Sequence, residues 1–361
     1  MAKMQTAAGE QRRRQMKPGN ITQTAWNRSV KKQLHTEMRY SVFRPSPEEN
    51  CSGLRVASED SVVWSSASVT GDSPRTVWYA ALQAAGNLAA RGVMPQGVSL
   101  RILFPEETEE EMLAAAAGEA QEVCSRMGTE LTCLQGEVNP AVRQMIVVAG
   151  AAGAADSRGF TGIMSPGQEI LLCGYTGLEG MLHILDEAEE ELAERFVPSF
   201  LGQAGALQSD LVLPEQILAG CRTEASGGGR LISAARQIGS GGILAALWEM
   251  AEISGTGLEV SMEAMALKQE TVEICEHFQI NPYQMTSAGS YLIATEHAEE
   301  LMGVLEKAGA RAGRLGIAKA QNARVITSGD ETRYLDRPAP DSLMCWQRER
   351  LFENRAREYI S

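Results

Sequence analysis

Residues 241–252, which read GGILAALWEMAE, form the most distinctive stretch of this sequence. A pair of glycines opens the stretch, and an apolar run from Ile243 to Leu247 follows. This run is far shorter than the roughly 20 apolar residues that a membrane-spanning helix needs. The other long apolar run, at residues 145–152, is also too short. We therefore expect no membrane among the partners of this chain.

The composition around this stretch is that of a globular protein long enough for two domains. The chain has 361 residues, of which 44% are hydrophobic and 22% are charged, and a chain of this length can bury a substantial core. Its formal net charge is -13, whereas proteins that bind nucleic acids usually concentrate Lys and Arg on one face. The composition therefore argues against nucleic acid as a partner.

Both ends of the chain are polar. Residues 1–20 are basic and lack periodicity, which predicts a flexible tail. No apolar segment or small-residue cleavage site follows the arginines at 12–14, so we expect a cytoplasmic protein. The C-terminal tail, residues 336–361, begins with prolines and then carries Trp346 and Phe352 among many charges. We expect this tail either to dock as a helix or to fray.

The order of predicted elements between the tails indicates an α+β fold with two domains, at residues 21–155 and 166–335. In the first half, a helix from residue 106 to residue 127 has an acidic first turn and ends at Gly128. Elements of both types alternate in the second half. The other predicted elements are strands at 98–104, 145–151, 169–173, 290–295 and near 258, 314 and 325, and helices at 268–279 and 297–308.

The cysteines and histidines do not form a recognisable metal site. The seven cysteines are scattered without a CxxC pair, and the histidines at 183, 277 and 297 are dispersed. Neither pattern has the spacing of a zinc site or a disulfide framework. We expect reduced, mostly buried cysteines, structural histidines and no metal.

Several motifs resemble the AIR synthase-related superfamily, and the likeness covers residues 16–335. The stretch at 241–252 is similar to the family's glycine pair and the ALxEMAE-type helix that follows it. TGLEG at residues 176–180 resembles a strand-to-helix turn of the family, and residues 269–276, 281–283 and 287–290 continue the series in the same order. Within the superfamily, the chain looks closest to the hydrogenase-maturation (HypE-like) branch.

The resemblance implies a PurM-like two-domain fold. In the family, the N-terminal α/β sheet domain pairs with that of a second subunit to form a β-barrel, and the C-terminal domain is a layered α/β structure. The shared reaction transfers the γ-phosphate of ATP, with Mg²⁺ held by acidic side chains of the N-terminal half. Carboxylates are needed there because Mg²⁺ prefers hard oxygen ligands and bridges the phosphates.

The acids of these metal-binding motifs are replaced in this sequence. Motifs similar to GEDCA, STDPITG and AND read EENCS, SSASVTG and AGN, so the expected aspartates are Asn50, Ala67 and Asn87. Glu137, in a motif resembling GHTEVT, is the retained acid, and it either binds a residual cation or pairs with Arg143. Because an amide or a methyl group cannot replace the charge of a carboxylate, the resemblance implies ATP or ADP as cofactor but argues against magnesium.

The glycine pair is the best candidate for contact with phosphate. Backbone N–H groups at the start of a helix attract anions, and the family uses this region against the nucleotide phosphates. The motif similar to HDxxEGG reads RQIGSGG at residues 236–242, with Gln237 where an aspartate is expected. The candidate nucleotide-binding residues are Gly241, Gly242, Arg236, Gln237 and Gly239.

Scaffold motifs preserved beside neutralised acids predict a catalytically weak paralogue. We expect it to act as a dimeric scaffold or partner subunit, pairing with itself or with an intact family paralogue. One alternative is an active ATP-dependent phosphoryl-transfer or dehydratase enzyme of the hydrogenase-maturation type, with its metal ligands relocated to acids such as Asp60 or Asp72. The other is a metal-independent nucleotide-binding regulatory module.

Overall fold

The structure is a computed structural model that describes residues 23–34, 41–43, 46–56, 61–155 and 160–358, without the side chains of residues 353–358. The predicted tail at residues 1–20 and the acid Asp60 lie outside this part. Within it, the chain is built on two sheets with helices packed against them. No helix of the described part is long and apolar enough to cross a membrane.

The first sheet lies within residues 51–154. Its strands are β1 (Cys51–Arg55), β2 (Ser61–Gly71), β3 (Gly97–Phe104), β4 (Glu130–Val138) and β5 (Met145–Ala154), and the helices of this half are α1 (Gln23–Arg28), α2 (Thr76–Ala90) and α3 (Glu110–Met127). The strand order is β1-β2-β5-β3-β4. All neighbours are antiparallel except the parallel pair β3 and β4.

Among the described residues, helices cover one face of this sheet and leave the other uncovered. Helix α2 is almost entirely buried and packs on β2 and β5, where Val63 and Val147 lie in the same apolar cluster. Because side chains alternate along a strand, the intervening residues point away from α2. These include Ser66, Ser68 and Val148, which are exposed. We call this uncovered side of the first sheet the open face.

The predicted helix of the first half begins later than expected. Residues 105–108 form a turn, in which the N–H of Thr108 donates to the carbonyl of Pro105 (3.2 Å), and α3 starts at Glu110. Acidic residues are stabilising both in the first turn of a helix and in the turn before it, so their pattern does not fix the residue at which α3 begins. Gly128 ends the helix in the left-handed conformation (φ 65°), as predicted.

The second sheet has seven strands within residues 169–334. They are β6 (Glu169–Cys173), β7 (Ala234–Gln237), β8 (Gly257–Ser261), β9 (Tyr291–Thr295), β10 (Ala312–Lys319), β11 (Arg324–Ser328) and β12 (Glu331–Tyr334). The helices are α4 (Leu178–Glu187), α5 (Glu189–Arg195), α6 (Pro198–Ala206), α7 (Pro214–Arg222), α8 (Gly242–Ser254), α9 (Gln269–His277), α10 (Ala298–Lys307) and α11 (Ser342–Glu358). The strand order is β12-β11-β8-β10-β6-β9-β7.

Helices cover both faces of the second sheet. In β6, Ile170 and Leu172 pack in one cluster with α8, whereas Leu171 and Cys173 pack in another with α7 and α10. This alternation explains why the strand reads as a continuous apolar run. Helix α2 also contacts β7 and α7, so it lies between the two halves of the chain. The division into domains near residues 155–166 stays a prediction.

The C-terminal tail docks instead of fraying. Leu343 and Trp346 of α11 are buried, and the Trp346 ring meets Phe278 edge-to-face at 5.4 Å between centroids. Gln347 donates to the carbonyl of Thr70 (2.9 Å) and to the Glu187 carboxylate (2.8 Å). The start of α11 is therefore fixed to both halves of the chain.

Candidate functional site

The sequence motifs of the second half meet at one loop, residues 286–290, which leads into β9. Three side-chain oxygens from different elements accept hydrogen bonds from backbone N–H groups of this loop. The bonds join Asp341 to Thr286 (3.0 Å), Glu179 to Ala288 (3.1 Å) and Gln237 to Gly289 (3.2 Å). The loop therefore gathers α4, β7 and the segment before α11 around one centre.

Two of the positions where the resemblance implies acids are joined directly to each other. The Gln237 Nε2 group donates to Asn87 Oδ1 (3.1 Å), and Asn87 Nδ2 donates to Ser65 Oγ (3.1 Å). Gln237 is 2% exposed and Asn87 is 9% exposed. We call the side chains of Ser65, Asn87 and Gln237 the amide cluster. It connects β2, α2 and β7 across the two halves of the chain.

The polar groups of Gln237 and the Nδ2 and Oδ1 of Asn87 have hydrogen-bond partners within the chain and need no cation. Gln237 uses its second N–H to donate to the carbonyl of Gln83 (2.8 Å), while its Oε1 accepts from Gly289 (3.2 Å). Two carboxylates at positions 87 and 237 would need a metal ion or a proton between them, because like charges at this separation repel. In this chain an N–H donor lies between the two side chains instead. The cluster is thus neutral and held together by hydrogen bonds between its own side chains.

The other two replaced positions contribute less to this cluster. Asn50 takes part through its backbone carbonyl, which accepts from Ser65 Oγ (2.9 Å). Ala67 lies in β2 opposite Ala149, is 9% exposed and belongs to the apolar cluster under α2. Its methyl group offers no oxygen to a metal. Of the three predicted positions, the structure brings Asn50 and Asn87 together and leaves Ala67 in the core.

The retained acid Glu137 lies away from the amide cluster and pairs with a different arginine from the one expected. It sits at the end of β4, on the opposite edge of the first sheet from β1, and four strand spacings of about 4.8 Å separate these edges. Its carboxylate pairs with Arg101 (3.6 Å) and accepts from Asn139 (2.9 Å). Arg101 lies on the adjacent strand β3, two residues before Leu103, the register partner of Glu137, so its long side chain reaches the carboxylate.

The second acid considered as a relocated ligand, Asp72, does not join the cluster. Its carboxylate accepts from Gln144 Nε2 (2.9 Å), and burial raises its pKa above the usual value. Within the described ranges, no group of three or more His, Cys, Asp or Glu side chains could hold a metal ion. No relocated carboxylate set is therefore found in that part of the chain.

The candidate cation Arg236 is already neutralised by an acid of α8. Its guanidinium pairs with Glu249 and donates to the carbonyl of Glu48 (2.7 Å), and its side chain is 10% exposed. Burial raises the pKa of Glu249, while the charge of Arg236 opposes this shift. The groove beside Arg236, Asn87 and Gln237 has a volume of about 40 Å³, which is room for a few water molecules.

The glycine pair is required by the local backbone. Gly241 and Gly242 both have positive φ angles (86° and 69°), which side chains other than glycine rarely tolerate. A Cβ on Gly242 would lie 2.5 Å from the carbonyl oxygen of Tyr283. The N–H of Gly242 donates to the carbonyl of Gly239 (3.0 Å), and the N–H of Gly241 donates to Asp341 Oδ2 (2.7 Å). Both N–H groups of the pair therefore have partners within the chain.

Asp341, which sequence reasoning missed, is the most connected carboxylate at this centre. It is 1% exposed, and burial raises its pKa to about 6. Its Oδ1 caps α11 by accepting from the N–H groups of Leu343 (2.9 Å) and Met344 (3.2 Å). An aspartate directly before a helical run is a recognised N-cap signal, and it could have located this residue but not its contact with Gly241.

A second set of buried ionisable groups lies beside this centre. His183, on α4, is 1% exposed, and its Nε2 lies 2.9 Å from Glu179 Oε1. Although burial disfavours the charged ring, the hydrogen bond and charge of Glu179 raise the pKa of His183 above its usual value. Burial also raises the pKa of Glu187 to about 7. These contacts are consistent with the predicted structural role of His183.

Comparison with known proteins finds a family similarity over part of the chain. The family model for the C-terminal domain of AIR synthase related protein matches residues 165–328. Carbamoyl dehydratase HypE from Rhodobacter capsulatus is 26% identical over 262 residues, which cover 69% of this chain and 72% of that protein.

Solved structures share the fold. A chain of the HypE-HypF complex matches with a TM-score of 0.66 and 16% identity, covering 87% of this chain and 100% of that chain. Hydrogenase maturation protein HypE in complex with ATP matches with a TM-score of 0.65 and 17% identity, covering 87% and 91%. The predicted PurM-like α+β fold is thereby confirmed.

Proposed function

We propose that this chain, a HypE-like member of the AIR synthase-related superfamily, keeps the family fold without its Mg-ATP chemistry and acts as a dimeric scaffold or partner subunit. The observation that carries this proposal is the N–H of Gln237 that points at Asn87 Oδ1 (3.1 Å). An N–H donor between these two side chains supports the absence of a metal ion there, because Mg²⁺ is surrounded by oxygen ligands.

The amide and methyl side chains at these positions carry no charge that could attract a cation. One carboxylate at 4 Å from a cation contributes on the order of 4 kcal/mol at an effective dielectric of 20, before desolvation. Asn50, Ala67, Asn87 and Gln237 together remove several such contributions. A structure of HypE contains ATP, so nucleotide is the natural ligand to test. In this chain, however, the charge that would hold magnesium between the protein and the phosphates is missing.

The open face of the first sheet supports a role in assembly. At its centre the side chains are small, with Ser66 and Ser68 on β2 and Gly150 on β5, and Val148 beside them is 38% exposed. Small residues let a second sheet approach closely, and an exposed valine gains from being covered. Arg101 lies on the same face, since it pairs in register with Val148. A second copy or an intact paralogue fits this surface.

Relatives of this chain do form assemblies with other proteins, since a HypE-HypF complex has been solved. We infer that the partner of this chain is either its own copy or an intact paralogue that supplies the missing acids. The metal-independent nucleotide-binding module remains the second candidate. It is favoured by the backbone N–H groups that converge near Gly241. Unlike the scaffold proposal, it predicts nucleotide binding whose affinity is the same with and without metal.

ATP turnover by the purified chain tests the proposal. We expect no Mg²⁺-dependent release of phosphate or ADP above the rate without protein. Glu137→Ala, which removes the retained acid, should change nothing, as should Glu130→Ala, the matched control on the same strand. Mg²⁺-dependent hydrolysis that is lost in Glu137→Ala but kept in Glu130→Ala would contradict the proposal and restore the enzyme hypothesis.

A further inference from the structure

His183, on α4, lies between two carboxylates in the interior of the chain. Its Nε2 is 2.9 Å from Glu179 Oε1, and its Nδ1 is 4.0 Å from Glu187 Oε1. The three side chains are only 1–4% exposed, and we call them the buried triad. Because each ring nitrogen faces an acid in a site that excludes water, a proton gained or lost by one member changes the charge that the other two experience.

Helix α11 covers the Glu187 end of the buried triad. Gln347 is 5% exposed, and its Nε2 donates to Glu187 Oε1 (2.8 Å), the oxygen that also faces the imidazole. Three residues further on, Arg350 donates to the main-chain carbonyl of Glu187 (3.5 Å). We call residues 341–350 the latch. Since the Gln347 amide lies directly on the Glu187 carboxylate, release of the latch would let water reach that acid.

The latch also carries a buried acid of its own at the Glu179 end of the triad. Asp341 is 1% exposed, and its Oδ2 accepts from the N–H groups of Gly241 (2.7 Å) and Thr286 (3.0 Å). Burial raises the pKa of Asp341 to about 6, and the negative charge of Glu179 adds to this shift. Docking of the latch therefore removes two acids, Asp341 and Glu187, from water at the same time.

The two arginines that face these acids already have partners. Arg350 pairs with Glu191 (2.8 Å), and Arg75 pairs with Asp186 (3.0 Å). Protonation of the triad and of Asp341 therefore reduces the negative charge that these pairs leave. Within the described part of the chain, the other titratable and charged groups that face this region are Asp186 from α4, Tyr79 and Arg75 from α2, Asp72 after β2, Glu189 and Glu191 from α5, and Arg350 from the latch.

The protonation of these groups favours the docked latch. Burial raises the pKa of Glu187 from 4.5 to about 7. Although burial disfavours the charged ring, the hydrogen bond and charge of Glu179 raise the pKa of His183 above its usual value. The acids and the imidazole thus hold protons more tightly with the latch docked than in water. The docked state therefore loses stability as the pH rises from 4.5 through about 7.

We infer that the latch is a pH-sensitive switch: it is docked in mildly acidic solution and opens as the solution becomes alkaline, with the buried triad and Asp341 as the sensor. The inference goes beyond the proposed function, because it requires neither nucleotide nor metal. Opening would expose Leu343 and Trp346, which are buried in the docked latch. An exposed apolar helix face is a surface that other proteins bind, so the switch would link pH to the apolar surface that the chain offers to a partner.

Hydrogen exchange of the full chain in its native state tests the switch. Exchange rates are divided by those of an unstructured peptide at the same pH, which gives a protection factor that is free of the intrinsic effect of pH. Between pH 5.5 and pH 8, we expect the protection factors of residues 343–350 to fall by about tenfold or more. At pH 8 they should not change in 1 M urea, because opening of the latch exposes little surface, whereas those of residues 301–307 in α10 should fall. Equal protection of residues 343–350 at both pH values, or exchange that follows urea as in α10, would overturn the inference.

The variant Glu187→Gln identifies the sensor. A glutamine keeps an oxygen that accepts from Gln347 but cannot ionise, so we expect residues 343–350 to keep most of their protection at pH 8. Glu194→Gln, which removes an exposed acid of the neighbouring α5, is the matched control and should lose protection as the parent chain does. A loss in Glu187→Gln as large as that of the parent would also overturn the inference. If this variant does not fold, the comparison of the parent chain at the two pH values decides by itself.

Discussion

At the scale of single residues, the amide cluster is a buried, neutral set of hydrogen-bonded side chains. Asn87 and Gln237 lie in hydrogen-bond contact, at positions where the family pattern has acids. An amide offers both a donor and an acceptor, whereas a carboxylate offers acceptors alone. Two amides can therefore bond to each other directly, and the cluster is a stabilising contact between α2 and β7.

Restoring one acid in this cluster should destabilise the fold. Asn87→Asp places a carboxylate in a site that is 9% exposed and removes the N–H that now bonds to Ser65. We expect a loss of about 2 kcal/mol in the free energy of unfolding, measured in urea with EDTA, with no recovery on addition of Mg²⁺. Asn322→Asp, at an exposed position, should be neutral. Recovery of Asn87→Asp by Mg²⁺ would show that a metal site survives.

Glu187 predicts a dependence of stability on pH. Burial raises its pKa from 4.5 to about 7, so between these values the folded state binds a proton more readily than the unfolded state does. Stability therefore falls as pH rises from 4.5 to 7, by about 3 kcal/mol for this group. Glu187→Gln should remove this part of the dependence and be more stable than the parent at pH 8. The exposed control Glu190→Gln should keep the parent profile, and a Glu187→Gln profile equal to that of the parent would contradict this reading.

Single residues also show what the sequence could and could not reveal. The motif positions indicated Asn50, Asn87 and Gln237, because the resemblance fixes their place along the chain. Asp341 could not be found in this way, because its hydrogen-bond partner Gly241 lies 100 residues away in the sequence. A contact of that kind depends on how α11 docks and leaves no local pattern.

At the scale of elements, α2 is the helix on which both halves of the chain depend. It packs on β2 and β5 of the first sheet and on β7 of the second, and nearly all its residues are buried. Its small side chains permit this close approach. Gly86 is the extreme case, because a Cβ there would lie 2.0 Å from Gln237 Oε1 and 2.5 Å from the Tyr291 hydroxyl.

A methyl group added at Gly86 should therefore separate α2 from β7. We expect Gly86→Ala to lower the free energy of unfolding by about 1–3 kcal/mol, the usual range for overpacking. Gly118→Ala is the matched control on α3, where nothing lies within 4 Å of the added atom. This control should gain about 0.5–1 kcal/mol from helix propensity. Equal effects at both glycines in urea denaturation would contradict the proposed packing of α2.

Elements with strong local signals were predicted well, whereas boundaries and docking were not. Strands β6 and β9 and helices α9 and α10 lie within a residue or two of the predicted ranges, because each has a clear apolar pattern and a turn signal at its ends. Helix α3 starts four residues late, since acidic residues do not mark a boundary. For α11, the sequence did not decide between docking and fraying. Trp346 fixes the helix only through its contact with Phe278, and the sequence does not show that these two residues meet.

At the scale of the whole molecule, we propose that the open face is the surface that binds a partner. Val148→Lys places a positive charge on this face beside Arg101, and like charges in an interface cost several kcal/mol. We expect the variant to weaken self-association by about 100-fold, which is near 3 kcal/mol, as measured by sedimentation velocity. Val197→Lys, at an exposed site far along the chain, should associate like the parent. An unchanged dimer in Val148→Lys would exclude this face.

We propose that this chain has lost the magnesium dependence of the family, and a titration of ATP into the purified chain tests this loss. Calorimetry with Mg²⁺ and again with EDTA compares the two conditions on the same protein. We predict either no heat of binding or binding that is the same in both, because the amide cluster offers no carboxylate pair to a cation. Tight binding with Mg²⁺ that disappears in EDTA would contradict the claim and would mean that the acids have been replaced elsewhere in the chain.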